Sequence, residues 1–163
     1  MALQLAQQLR VRPAGTLKVK KVIRFQKVKT PPTILVVDDH PVFRRLIGGI
    51  LEKAGFSVLS AGNPEEAMRI EAGFAAPIDL LLSEVMMTPS LLGTKLAKAL
   101  KARRPKMRVM LMSGYSGGEM LILNYGWHFI QQPFLAEALV GRVKDVLQSK
   151  THEQDTDHFD TRK

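Results

Sequence analysis

The chain reads as an α/β protein: a five-stranded parallel sheet, doubly wound by helices on both faces. Three observations predict it. From Thr33 onward, short apolar runs alternate with segments of helical period. The second and fourth runs are apolar at nearly every position, as suits parallel strands covered on both faces. The connections are short, so successive strand–helix units must lie side by side.

The elements follow in order. The first strand is Thr33–Val37. A helix runs from about Pro41 to Lys53, with Val42, Phe43, Leu46, Ile47, Ile50 and Leu51 expected on one inward face. Pro41 suits its first turn and Ala54-Gly55 stops it. The second strand is Phe56–Ser60. Asn63 is placed to cap a second helix that opens on Pro64-Glu65-Glu66, where negative charge suits the helix dipole, and runs to about Ala72. The third strand is Ile78–Ser83. A third helix spans about Leu91 to Ala102 and ends in Arg103-Arg104-Pro105. The fourth strand is Arg108–Met112, turned by Ser113-Gly114, and a short, weakly patterned helix covers Glu119–Leu123. The fifth strand is His128–Gln131. The last helix runs from about Leu135 to Leu147, with Leu135, Leu139, Val143, Val146 and Leu147 inward.

A length of 163 residues suits one domain with tails. No apolar run approaches the ~20 residues that span a bilayer. The chain has no Cys, which excludes disulfides and thiolate chemistry. The net charge of +9 is uneven: residues 1–30 carry +8 and no acid, residues 31–150 carry +3, and residues 151–163 carry −2. The basic character therefore belongs to an arm, residues 1–31, and says little about the partner of the folded part, residues 32–149. The arm ends in Thr30-Pro31-Pro32, which disfavours helix. It is read as a disordered tail. Two other readings stand beside that one: an anchor for nucleic acid or an acidic surface through clustered Lys and Arg, and an organelle transit peptide. Residues 150–163 are a polar, acidic tail.

Chemistry concentrates on three carboxylates. Asp38 and Asp39 end the first apolar run, and Glu84 ends the third. If those runs are neighbouring parallel strands, the three meet at one carboxyl edge, where open parallel sheets gather ligands. Clustered carboxylates repel, and a hard divalent cation such as Mg2+, which prefers oxygen, would compensate them. The same edge receives His40, Ser113 and Gln132.

Four stretches then carry a resemblance: Ile34-Leu35-Val36-Val37-Asp38-Asp39, Asp79-Leu80-Leu81-Leu82-Ser83-Glu84, Val109-Met110-Leu111-Met112-Ser113-Gly114-Tyr115, and Phe129-Ile130-Gln131-Gln132-Pro133-Phe134. In this order and spacing the chain resembles the receiver domain of two-component response regulators, over about Pro32 to Ser149. The resemblance implies a flavodoxin-like strand order, 2-1-3-4-5. It assigns Asp38 and Asp39 to Mg2+, and the clustering of carboxylates adds Glu84 to them as a weak ligand. Glu84 stands where the family has an aspartate that takes phosphate from a partner's phosphohistidine. Ser113 matches the hydroxyl that bonds the phosphoryl group. Gln132 stands where the family has a lysine that pairs with phosphoryl oxygens. Phe129 is the counterpart of the aromatic that turns inward in the active state, so Ser113 and Phe129 form the switch. The implied partners are a sensor histidine kinase or phosphotransfer protein and a downstream protein, in the cytoplasm, and no enzyme in the usual sense is expected.

The two departures have physical weight. Phosphoryl transfer is mostly positioning and charge neutralisation. The extra methylene of Glu84 moves the nucleophilic oxygen by more than an ångström, a misplacement that costs on the order of 100-fold. Gln132 lacks the charge of lysine, and a lost charge-assisted contact removes a further ~1.5–3 kcal/mol. The expectation is a stand-alone receiver, degenerate in phosphotransfer, whose Glu84 partly imitates the phosphorylated state. Output would pass through the face of the fourth helix, fifth strand and fifth helix. A constitutive interaction module with the same fold is the alternative, and a nucleic-acid-associated protein using the arm is a third reading. Among the remaining residues, His40 is expected as an exposed pre-helix residue and Arg103-Arg104 as a solvated helix end. Met86, Met87, Met107, Met110 and Met112 are expected as core or rim packing. Tyr125 and Trp127 are read either as an exposed docking patch or as loop packing.

Overall fold

The computed structural model describes residues 30–87, 93–114 and 125–149. The arm before Thr30, the helix expected at Glu119–Leu123, the start of the third helix and the tail lie outside the described residues. In chain order the elements are β1 (Thr33–Val37), α1 (Pro41–Lys53), β2 (Ser57–Ala61), α2 (Pro64–Gly73), β3 (Leu80–Glu84), α3 (Gly93–Arg103), β4 (Arg108–Ser113), β5 (His128–Gln131) and α4 (Ala136–Gln148). The strands form one parallel sheet in the order β2-β1-β3-β4-β5.

Two local signals act as the sequence predicts. Asn63 accepts a hydrogen bond from the Glu66 amide at 2.8 Å, capping α2, and Glu66 returns a carboxylate to the Gly62 amide at 2.7 Å. Gly55, with φ near 90°, ends α1 in a backbone region that other side chains avoid. Strand ends differ from expectation by one or two residues. β3 begins at Leu80 because Asp79 is spent on the strand entry: its carboxylate accepts from the Thr33 amide at 2.8 Å, and its own amide donates to the Thr33 carbonyl.

Successive strand residues point to opposite faces and feed two separate cores. Leu35, Val37, Leu81, Val109 and Leu111 pack with Ala67 of α2 and with Leu96, Ala97 and Leu100 of α3. Ile34, Val36, Leu80, Leu82, Met110 and Met112 pack with Ile47 and Leu51 of α1 and with Leu139, Val143 and Val146 of α4. Met107 joins the first core, so the three methionines flanking and lining β4 are core residues.

Three expectations need correction. Val42 and Leu46 are 60% and 57% exposed, because the apolar stripe of α1 is wider than the strip the sheet covers. Leu135 is not an inward helical residue: it precedes α4 in an extended conformation and is 75% exposed. Of the Arg103-Arg104 pair expected as a solvated helix end, Arg103 is exposed as expected and Arg104 is not. Arg104 donates Nε to Glu71 Oε1 at 2.9 Å, Nη1 to the Ala76 carbonyl at 2.7 Å, and Nη2 to the carbonyls of Glu71 and Phe74. Arg103 Nε stands 2.7 Å from Glu71 Oε2 as an ion pair without hydrogen-bond geometry. Glu71 is buried, and its charge holds the end of α3 against the end of α2.

Candidate functional site

The register brings the carboxyl ends of the inner strands level: Val37 faces Ser83, Glu84 faces Met112, and Ser113 faces Gln131. The residues that follow each strand therefore meet. An open cavity of about 380 Å3 lies there, lined by Asp38, Asp39, His40, Phe43, Glu84, Met86 and Gln132. All three predicted carboxylates line it, and Ser113 sits beneath, buried at 2% exposure.

Asp38 is buried at 3% exposure, and its Oδ1 accepts from the His40 amide at 2.7 Å. Asp39 and His40 are exposed. His40 caps α1, its Nδ1 accepting from the Phe43 amide at 3.3 Å, so it is occupied as a helix cap. Burial raises the Asp38 carboxyl above its ordinary range, and the charge of Asp39 adds to this. The bond to the His40 amide and the charges of His40 and Arg44 pull the other way.

Glu84 is surrounded by donors. Its Oε1 accepts from the amides of Val85 at 3.0 Å and Met86 at 3.3 Å. Its Oε2 accepts from Nε2 of Gln132 at 3.1 Å. The Ser113 hydroxyl also hydrogen-bonds the Glu84 carboxylate. Burial nevertheless raises the Glu84 carboxyl above its usual range, and the nearby negative charge of Asp38 contributes. Gln132 is fixed in turn by its amide, which donates to the Ser113 carbonyl at 2.9 Å, and Gln131 Nε2 donates to the same carbonyl at 3.0 Å.

A divalent cation is tested by this donor set. The candidate ligands are all carboxylate oxygens, which suits a hard cation such as Mg2+. The placement falls short of a closed cage: among the described residues no group of three His, Cys, Asp or Glu is arranged to hold a metal ion. The Glu84 carboxylate is turned onto Gln132 and the following backbone.

Sequence reasoning missed two supports. The Arg44 guanidinium donates from Nη1 to the Asp38 carbonyl and lies over Gly62, where any side chain would meet it. Its signal was a cation one turn into α1. Gly93 donates to the Val85 carbonyl at 2.6 Å, and a methyl group there would run into the Glu84 carbonyl oxygen. Its signal was a glycine where α3 begins. Phe129 is half-buried against the core beneath α2 and α3. Tyr125 and Trp127 stack on each other, 4.6 Å between centroids at 23°, with the Lys98 ammonium 4.4 Å from the Tyr125 ring. Trp127 packs against the core and Tyr125 remains 38% exposed, so the pair keeps one exposed ring. Met87 is buried, whereas Met86 is 58% exposed at the cavity rim.

Comparison with known proteins agrees with this geometry. The model of the response regulator receiver domain matches residues 34–144. The transcriptional regulatory protein AruR of Pseudomonas aeruginosa is 31% identical over 129 residues, covering 76% of this chain and 52% of AruR. The chain thus spans about half the length of that relative. The crystal structure of the receiver domain from the hybrid histidine kinase CckA is 34% identical, with a TM-score of 0.61, covering 71% of this chain and 99% of that one. The response regulator TrrA of Thermotoga maritima, solved in complex with Mg2+-BeF, is 26% identical with a TM-score of 0.62, covering 71% and 98%. No helix among the described residues is long and apolar enough to cross a membrane. In sequence, in strand order and in what its strand ends bring together, the chain belongs to the response regulator receiver domain family.

Proposed function

We propose that this chain is a phosphorelay receiver whose phosphotransfer is degenerate, and that it signals by protein contact with its site held in one state. The observation that carries this reading is the Glu84 carboxylate. It engages the Ser113 hydroxyl and the Gln132 amide, the two positions that the family gives to the phosphoryl group. A carboxylate that occupies those donors competes with the phosphoryl oxygens for them and supplies a negative charge in their place.

The partners in this reading are a histidine kinase or phosphotransfer protein and a downstream protein. Val42 and Leu46, both exposed on α1, suit such a contact. Asp38, Asp39 and Glu84 would hold Mg2+ weakly. That cation would screen their mutual repulsion, while Ser113 and Gln132 orient the carboxylate of Glu84.

The test is an amide spectrum of the labelled chain with Mg2+, before and after acetyl phosphate. The expected result is no further change at Glu84, Ser113 or Phe129 when acetyl phosphate is added. Large shifts at all three, reversed as the adduct decays, would mean an ordinary phospho-switch.

A further inference from the structure

The acidic cavity holds more negative charge than its own walls compensate. Asp39 repels the charge of Asp38, and Asp38 repels that of Glu84. Among the described residues that line the cavity none is Lys or Arg, and Gln132 is neutral. Acids that repel one another need positive charge nearby to stand together. Two side chains can bring it to Asp38, His40 and Arg44. His40 caps α1, its Nδ1 accepting from the Phe43 amide. A ring nitrogen that accepts a hydrogen bond carries no proton, so the capping imidazole is neutral. Arg44 keeps its charge at any pH at which the protein folds.

Three segments fix where that charge stands. Arg44 lies early in α1, where a cation is disfavoured by the helix dipole and the first turn holds no acid to offset it. Its Nη1 donates to the Asp38 carbonyl, which ties the guanidinium to the turn that carries the acids. The bond goes to the backbone, so it takes up neither carboxylate oxygen of Asp38. On its other side the guanidinium lies on Gly62, just after β2. A Cβ there would stand 3.2 Å from Nη1 and 3.4 Å from Cζ and Nη2. Gly62 is held in turn, its amide donating to Glu66 Oε2 at 2.7 Å, and the preceding Ala61 carbonyl accepts from the Asp38 amide at 3.2 Å. The end of β1, the start of α1 and the turn after β2 thus meet at one cation behind the cavity.

We propose that Arg44 is the resident counter-charge of the acidic cavity: fixed between the Asp38 carbonyl and Gly62, it lets the carboxylates stand together before any metal ion arrives. A divalent cation that enters must do so against this fixed positive charge, which keeps its binding weak. The role belongs to the charges of the cavity and holds whether or not phosphate is ever transferred.

A double-mutant cycle separates the charge of Arg44 from its hydrogen bond. Asp38→Asn removes a carboxylate charge and keeps the backbone carbonyl that Arg44 holds. In metal-free buffer at neutral pH and low ionic strength, Arg44→Gln should lower the denaturation midpoint, and by clearly less when Asp38→Asn is already present. Added salt should narrow the gap between Arg44→Gln and the parent, because it screens the uncompensated repulsion. Arg44→Lys, which keeps the charge and loses the planar fork, should stay near the parent. Gly62→Ala should shift the Asp38 amide in the parent, through the guanidinium it displaces, and leave it in place in Arg44→Gln. Mg2+ should shift the Asp38 amide of Arg44→Gln at a concentration severalfold below that needed for the parent. Equal losses from Arg44→Gln with and without the Asp38 charge would overturn the proposal, since they would mark Arg44 as a hydrogen-bond donor alone. Mg2+ binding by Arg44→Gln that is no tighter than the parent's would overturn it as well, because the loss of a mere support weakens a site where the loss of a competing charge strengthens it.

Discussion

The side-chain amide of Gln132 donates to Oε2 of Glu84 at 3.1 Å, so the two residues that the sequence resemblance alone sets apart from the receiver pattern touch each other. A lysine at 132 would face this carboxylate with a full positive charge and hold it ionised. An amide donates without that charge, and burial is left free to raise the Glu84 carboxyl. Glu84 and Gln132 thus form one local arrangement, in which an acid meets a neutral donor.

Gln132→Lys should bring the Glu84 carboxyl down by about 1–3 units, the usual effect of an opposite charge within ~4–6 Å. Carboxyl-detected titration of Glu84 in the two chains measures this. An unchanged midpoint would mean that the ammonium points away from the carboxylate.

Asp38 gives a pH dependence with a definite sign. Its folded-state carboxyl is raised, so the folded chain holds this proton more tightly than the unfolded one. The contribution to stability is complete below the unfolded value of about 4 and is lost as pH rises through the raised value. Asp38→Asn removes that loss and keeps an acceptor for the His40 amide. It should melt above the parent near neutral pH, and the gap should close below about pH 4. Millimolar Mg2+ should raise the midpoint of the parent at neutral pH but not that of Asp38→Asn.

Gly93→Ala should destabilise the fold by about 1–3 kcal/mol or more, because the added methyl runs into backbone and not into a flexible side chain. Denaturant unfolding gives the cost. The same substitution should shift the Glu84 amide, since the Glu84 carbonyl must move.

Glu71→Ala should cost about 1–3 kcal/mol. It leaves Arg103 unpaired and removes one acceptor from Arg104, which keeps its three carbonyls. Hydrogen exchange should rise at the end of α2 and the end of α3 together, because Glu71 joins them.

The sheet was legible because each signal was local and repeated. Thr33–Val37 and His128–Gln131 are strands over the expected residues, and Asn63 caps as its side chain predicts. The site positions were legible for the same reason: a carboxylate or amide directly after an apolar run must fall at the carboxyl edge. What the sequence concealed depends on partners far along the chain. Arg104 reads as part of a solvated end until Glu71, some thirty residues earlier, is brought beneath it. Val42, Leu46 and Leu135 read as core because periodicity counts apolar positions and not the width of the surface that covers them. The turning of Glu84 onto Gln132 depends on the rotamers of two side chains forty-eight residues apart, which no pattern of residue types encodes.

The phosphate adduct formed with acetyl phosphate and Mg2+, read by intact mass across four chains, tests the role of Glu84 most directly. The unmodified chain should carry little or none. Glu84→Asp should form a slow, partial adduct, since the shorter acid regains its position, and Gln132→Lys alone should do little. The double substitution should exceed the sum of the singles, as residues that contact one phosphoryl group are coupled. A robust adduct on the unmodified chain would contradict the account, because Glu84, held by Gln132 and Ser113, would then be a working acceptor.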